Sequence, residues 1–190
     1  MDINKVYKSV PFDHQKKALE EGKDRINFAY FMEMGTGKTK VAIDNANYLY
    51  LTKKINDVIV LAPNSVYMNW IQEISDHSKI KPDIFVWKKS KQKLLMKYKY
   101  NNFFWLLMNI ESISRPKGRT FLEQQLNKRG NNTLLIVDES TTIKNKEANR
   151  TKALCKMASL AKYKRILTGS PVTKSPLDLY TQCQFLNKSL

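Results

Sequence analysis

Cysteine is scarce in this chain. Only two of its 190 residues are cysteine, Cys155 and Cys183, and neither lies in a C-x-x-C pair or beside a histidine cluster. Both read as reduced thiols of a protein core, not as a disulfide frame or a thiolate metal site. Long apolar runs are missing as well. The longest, Phe103 to Met108, is closed by Asn109, far short of the roughly 20 residues that a membrane-spanning helix needs. The N-terminal stretch MDINKVYKSVPFDHQ lacks the apolar centre of a signal peptide, so residence in the cytoplasm is the expectation. Acidic residues are few, 17 against 33 Lys and Arg, and the formal net charge is +16. No internal repeat and no linker interrupts the chain, and residues 1–190 read as a single domain.

Apolar residues make up 42% of the sequence, a globular composition with enough chain for a sizeable core. The charge points to a polyanion, most simply nucleic acid held through its phosphates. A general lysine bias, with Asn and Ile also frequent, is the alternative source. The segment KKSKQKLLMKYKYNN, 88–102, reads as a solvated helical face.

Short apolar runs alternate with helical patterns. INFAYFM, DVIVLAP, DIFVW, NNFFWLLMN, NTLLIVDE and YKRILTGSP each hold a few consecutive apolar residues bounded by polar or turn residues, as buried parallel strands do. Helices are expected over Lys38 to Leu51, Ser65 to Ser78, Lys91 to Lys99, Gly118 to Lys128 and Glu147 to Ala161. Such alternation predicts an α/β domain: a mostly parallel sheet with helices on both faces. Ligands of such folds bind at the carboxyl ends of the strands.

Gly35-Thr36-Gly37-Lys38-Thr39 follows the first strand and opens a helix. Glycines let backbone amides turn toward phosphate oxygens, and the helix N-terminus adds positive potential. Lys38 can reach terminal phosphates and Thr39 can ligate Mg²⁺; Met34 enters the loop. A strict G-x-x-x-x-G-K-[ST] pattern fails at its first letter, where Met32 stands. In TLLIVDEST, four apolar residues deliver Asp138 and Glu139 to a strand end. An aspartate there can hold Mg²⁺, and the glutamate can orient an attacking water. In RILTGSP, Thr168 and Ser170 can bond toward the nucleotide or toward Asp138 and Glu139. In PFDHQKKAL, the Gln15 amide can donate to and accept from an adenine edge, and Phe12 can stack on the base. Trp70 reads as core.

These pieces, in this order, resemble superfamily 2 helicases, and within them the Swi/Snf family of DNA-translocating ATPases. FDHQ resembles the adenine-reading Q motif and EMGTGKT motif I. VLAPNSVYMNWIQE resembles motif Ia through Pro63, Ser65, Asn69, Trp70 and Glu73. NIES stands where motif Ib falls, VDESTTIKN resembles motif II, and LTGSPVTKSPLDLYTQCQFL resembles motif III with its C-terminal extension. The resemblance spans residues 12 to 186 and implies a RecA-like P-loop NTPase domain that uses ATP and Mg²⁺. It further implies sequence-independent contacts to the DNA backbone, for which Asn64, Ser65 and Asn109 are the candidates. Family members usually move along duplex without unwinding it. The compact form and the EMGTGKT and DES variants resemble bacteriophage members.

Two departures stand out. Thr141 occupies the place of a histidine that often links ATP hydrolysis to motif III, and Thr173-Lys174 replaces a polar pair after motif III. The resemblance also implies a second RecA-like lobe, with ATP in the cleft between lobes. That lobe carries the arginine finger, worth roughly 10³–10⁵ in turnover elsewhere. None of Arg115, Arg119, Arg129, Arg150 and Arg165 lies in a finger-like motif. The 190 residues are therefore expected to be an N-terminal lobe that is nearly inactive alone. A stand-alone ATP- or DNA-binding module is the alternative. A GTPase is disfavoured by the lack of Asn-Lys-x-Asp, and a nucleotide kinase by the lack of an Arg-rich lid.

Overall fold

The computed structural model describes residues 2–88, 90, 103–172 and 175–187. All six expected strands form: β1 Asn27–Phe31, β2 Asp57–Ala62, β3 Asp83–Val86, β4 Phe104–Asn109, β5 Thr133–Asp138 and β6 Tyr163–Thr168. They make one parallel sheet in the order β1-β6-β5-β2-β4-β3. Every residue of β2, β5 and β6 is buried. Alternate side chains serve opposite faces: Val58, Val60, Leu134 and Ile136 join one core, and Ile59, Leu61, Leu135 and Val137 the other. That two-sided burial is why the strands read as unbroken apolar runs and not as alternation.

Helices α1 Asp13–Gly22, α2 Lys38–Leu51, α3 Asn69–His77, α4 Pro116–Arg129, α5 Asn149–Ala158 and α6 Leu177–Leu186 cover the two faces. The expected helix over Lys38 to Leu51 forms over that range. The one expected over Ser65 to Ser78 starts later, because Val66 and Tyr67 both donate to the Pro63 carbonyl in consecutive turns before the helix begins at Asn69. The fifth helix is shorter than expected, Asn149–Ala158, and the fourth begins at Pro116, which fits a first-turn position whose N–H has no helical partner anyway. The helix expected over Lys91 to Lys99 lies outside the described residues. Helix α6 was not anticipated.

Helix α2 is buried on nearly all sides, and several of its polar residues are paired. Lys40 meets Asp44 at 2.7 Å, and Ser78 Oγ donates to Asn47 Oδ1 at 2.9 Å. Asn45 Oδ1 accepts from Arg165 Nε at 2.8 Å. Arg165, in β6, is wholly buried. Its remaining N–H groups donate to the carbonyls of Ile26, Lys164, Gly22 and Arg25 at 2.7–3.1 Å. One guanidinium thus pins the end of α1 and the entry to β1 against α2. Burial lowers its pKa, and the ring of carbonyl oxygens offsets that cost.

Candidate nucleotide site

The loop between β1 and α2 adopts the conformation its glycines allow. Gly35 and Gly37 have φ of 78° and 83°, a region that side chains disfavour. At Gly37 a Cβ would also stand 2.3 Å from the Gln15 amide nitrogen. Met32, the mismatch in the strict pattern, directly follows β1, and its N–H donates to the Thr168 carbonyl at 3.2 Å. The residues needing positive φ come later, so a side chain at position 32 costs the loop nothing. Lys38 and Thr39 open α2, whose amino end points into the loop. The Lys38 ammonium donates to the Glu33 carbonyl at 3.1 Å, as does the Thr36 hydroxyl at 2.7 Å.

The Gln15 amide is 5% exposed. It accepts from the Phe12 N–H at 3.1 Å and donates to the Thr36 carbonyl at 3.0 Å, so it ties the start of α1 to the glycine loop. One proton and one lone pair of the amide remain for a base. His14 Nε2 lies 3.0 Å from the same carbonyl, a contact the sequence gives no sign of. Phe12 stands 70% exposed beside the loop, stacked on His14.

Asp138 ends β5 and is 4% exposed. Its Oδ1 accepts from the Glu139 N–H and its Oδ2 from the Trp70 indole N–H, both at 2.9 Å. Trp70 is wholly buried, as expected of a core residue. It does more than pack, because a buried indole N–H needs an acceptor and here the acceptor is the candidate metal ligand. The sheet brings them together: α3 follows β2, and β2 pairs with β5. Burial pushes the Asp138 carboxyl above its usual range, against the pull of Trp70, the Glu139 amide and the Lys38 charge. Glu139 is pushed up by burial and by Asp138. Glu139 also takes a left-handed backbone, φ 47° and ψ 60°. Such strain costs about 1–3 kcal/mol and tends to mark functional sites.

Strand β6 lies between β1 and β5. Phe31 pairs with Thr168 and Asp138 with Leu167, so the glycine loop, Thr168 and Asp138 share one edge. A Cβ on Gly169 would come within 3.2 Å of Met34. The Thr168 hydroxyl accepts from the Ser170 N–H at 3.1 Å; the expected bonds from these side chains to Asp138 and Glu139 are not among those formed. Further along the edge, Ala62 pairs with Asn109, and Asn109 Nδ2 donates to Asn64 Oδ1 at 3.0 Å. Ser65 is exposed beside them. A cleft of about 610 Å³ opens there, lined by Tyr67, Trp87, Asn109, Ser112, Arg115 and Lys117. Thr173 and Lys174 lie outside the described residues.

The sequence profile of the SNF2-related domain matches residues 21–190. The chain belongs to the SNF2-related family. It is 29% identical over 161 residues to the ISWI chromatin-remodeling complex ATPase ISW1 of Saccharomyces cerevisiae, covering 81% of this chain and 13% of that protein. It is 27% identical over 167 residues to the chromatin-remodeling ATPase INO80 of Schizosaccharomyces pombe, with 83% and 10% covered. The SNF2-related chain thus spans a small part of the relatives it matches. Its fold matches the Sulfolobus solfataricus SWI2/SNF2 ATPase core in complex with dsDNA at a TM-score of 0.78 and 21% identity, covering 96% of this chain and 36% of that one. The RecA-like α/β fold is therefore shared with part of a SWI2/SNF2 ATPase core. Among the described residues no helix is long and apolar enough to cross a membrane.

Proposed function

We propose that this chain is the ATP-binding first lobe of a Swi/Snf-type DNA translocase. The observation that carries the reading is the shared edge: a glycine loop opening a helix faces an aspartate that two N–H donors already orient. The backbone amides of Gly35 to Thr39 and the Lys38 ammonium would hold the phosphates, with Lys38 leaving the Glu33 carbonyl to do so. Phe12 would cover the adenine, and the free proton and lone pair of Gln15 would read its edge. The donor set fits Mg²⁺: a helix-start hydroxyl on Thr39 and a buried carboxylate on Asp138, each oxygen keeping a lone pair. Magnesium would neutralise charge on the transferred phosphoryl group. Glu139, raised in pKa and held in a strained backbone, would orient the attacking water.

Asn64, Ser65 and Asn109 would hydrogen-bond phosphate oxygens of a DNA strand, indifferent to sequence. Arg115 and Lys117 add long-range attraction. Four arginines are engaged on this lobe: Arg165 in its clamp, Arg150 on the Thr142 carbonyl, Arg129 on Asp57 and Arg119 on the Ile113 carbonyl. The arginine finger would then come from a second RecA-like lobe, with cleft closure and reopening driving steps along DNA.

The test is ATP binding and steady-state hydrolysis by the 190-residue chain, with and without duplex DNA, beside Lys38→Ala. Binding that is lost only in the variant, with turnover near zero throughout, supports the reading. Binding untouched by Lys38→Ala sinks the phosphate site. Brisk turnover stimulated by DNA overturns the need for a second lobe.

A further inference from the structure

Thr141 stands where the resemblance has a histidine joining motif II to motif III, and the Thr168 and Ser170 bond is made between those two residues. The two segments are nevertheless joined, by a route through α6. Ser140, next to Glu139, donates its hydroxyl to Gln182 Oε1 at 2.6 Å. Gln182 Nε2 donates in turn to the Pro171 carbonyl at 2.7 Å and to the Asp178 carbonyl at 2.8 Å. Ser140 and Gln182 are both 0% exposed.

A neutral amide at a wholly buried helix position is costly unless its polar atoms are matched. Here one lone pair of Gln182 is matched by the turn after Glu139, one amide proton by the exit of motif III at Pro171, and the other by the preceding turn of α6 itself. Two more contacts hold α6 to the same turn. Thr181 Oγ1 donates to the Lys144 carbonyl at 3.0 Å, and Lys144 Nζ lies 4.0 Å from Asp178. Phe185, one turn on, is in the core, so α6 is anchored. A displacement at Glu139 moves Ser140, and close-packed surroundings leave the bonded amide little room to absorb it.

We infer that Gln182, with Ser140, is a positioning residue that carries movement at Glu139 to the Pro171 segment, in place of the histidine at 141. The inference rests on the nucleotide reading above. Its test uses the ¹⁵N-labelled chain titrated with Mg-ADP, with the amides of Gly35 to Thr39 and of Ser170 and Val172 followed by NMR. In the wild type both groups shift. In Gln182→Met and in Ser140→Ala, the affinity for Mg-ADP and the loop shifts are kept, while the Val172 shift falls roughly twofold or more, the scale on which changes along a coupling network act. The double variant loses no more than either single one, because both cut the same series of bonds. An undiminished Val172 shift in both single variants, or additive losses in the double, overturns the relay. Should Gln182→Met fail to fold, Ser140→Ala, which deletes one oxygen, decides alone by the same Val172 criterion. Silence of every amide in the wild type is a different result: it refutes the nucleotide reading, and the relay with it.

Discussion

On the β1-β6-β5 half of the sheet, the side chains at the carboxyl edge are buried and bonded before any ligand arrives. Asp138 has two donors, Lys38 lies against its own loop, and Thr168 closes a turn. On the β2-β4-β3 half, Asn64 and Ser65 stand exposed, and Asn109 is held chiefly by Asn64 and by capping the turn after it. The difference reflects the chemistry proposed for each. Phosphoryl transfer gains from groups fixed in advance, since reorganisation would add to the barrier. A contact that must be made and broken at each step along a strand gains nothing from rigidity, and polar side chains in water cost little to move.

The contrast breaks most sharply at Arg165. Replacing it by Met leaves Asn45 Oδ1 and four carbonyls without that donor. The Gly22 and Ile26 carbonyls keep a backbone donor each; the loss should still reach about 3 kcal/mol, since each buried acceptor left unmatched costs about 1–3 kcal/mol. Urea unfolding measures it, and a loss under about 1 kcal/mol would show that the nucleotide half does not depend on its clamp. Trp70→Phe is more selective. It keeps most of the ring in the core and removes the donor to Asp138. The affinity for Mg²⁺ in the presence of ADP should fall about 10- to 100-fold, as for other groups that orient a metal ligand. Binding of ADP in EDTA should hold steady. Calorimetry at several Mg²⁺ concentrations separates the two, and an equal loss in both would reduce Trp70 to a packing residue. The smallest effect belongs to the other half. Asn64→Ala should weaken duplex binding a few-fold, uniformly across DNA sequences, and change unfolding free energy by less than about 0.5 kcal/mol. A sequence-dependent loss would mean that this face reads bases.

The same contrast governs what could be read before folding. Inner strands buried on both faces announce themselves as apolar runs, the half-buried edge strands β1 and β3 are short apolar runs as well, and strand ends then placed Lys38, Asp138 and Thr168 on one edge. The glycine loop was legible because positive φ restricts residue choice. Partnerships made in three dimensions were not. Trp70 and Asp138 are 68 residues apart, and nothing in either neighbourhood names the other. Helix α6 escaped because Thr181 and Gln182 are polar yet buried, which breaks the apolar stripe that marks a helix. Helix α3 starts later than its expected range because the Pro63 carbonyl accepts two turn bonds ahead of Asn69.

The place of β6 has a consequence for how the protein is made. Strand β1 has one neighbour in the sheet, and it is β6. The Arg165 bond to the Gly22 carbonyl spans 143 residues. During synthesis, the phosphate loop near the N-terminus has no sheet to stand on until residues 163–168 leave the ribosome, although β2, β4 and β5 can already pair. A loop translated early is therefore among the last parts to be built. A ribosome-bound chain arrested before residue 163 should expose an open edge on β5, a surface that chaperones are suited to cover.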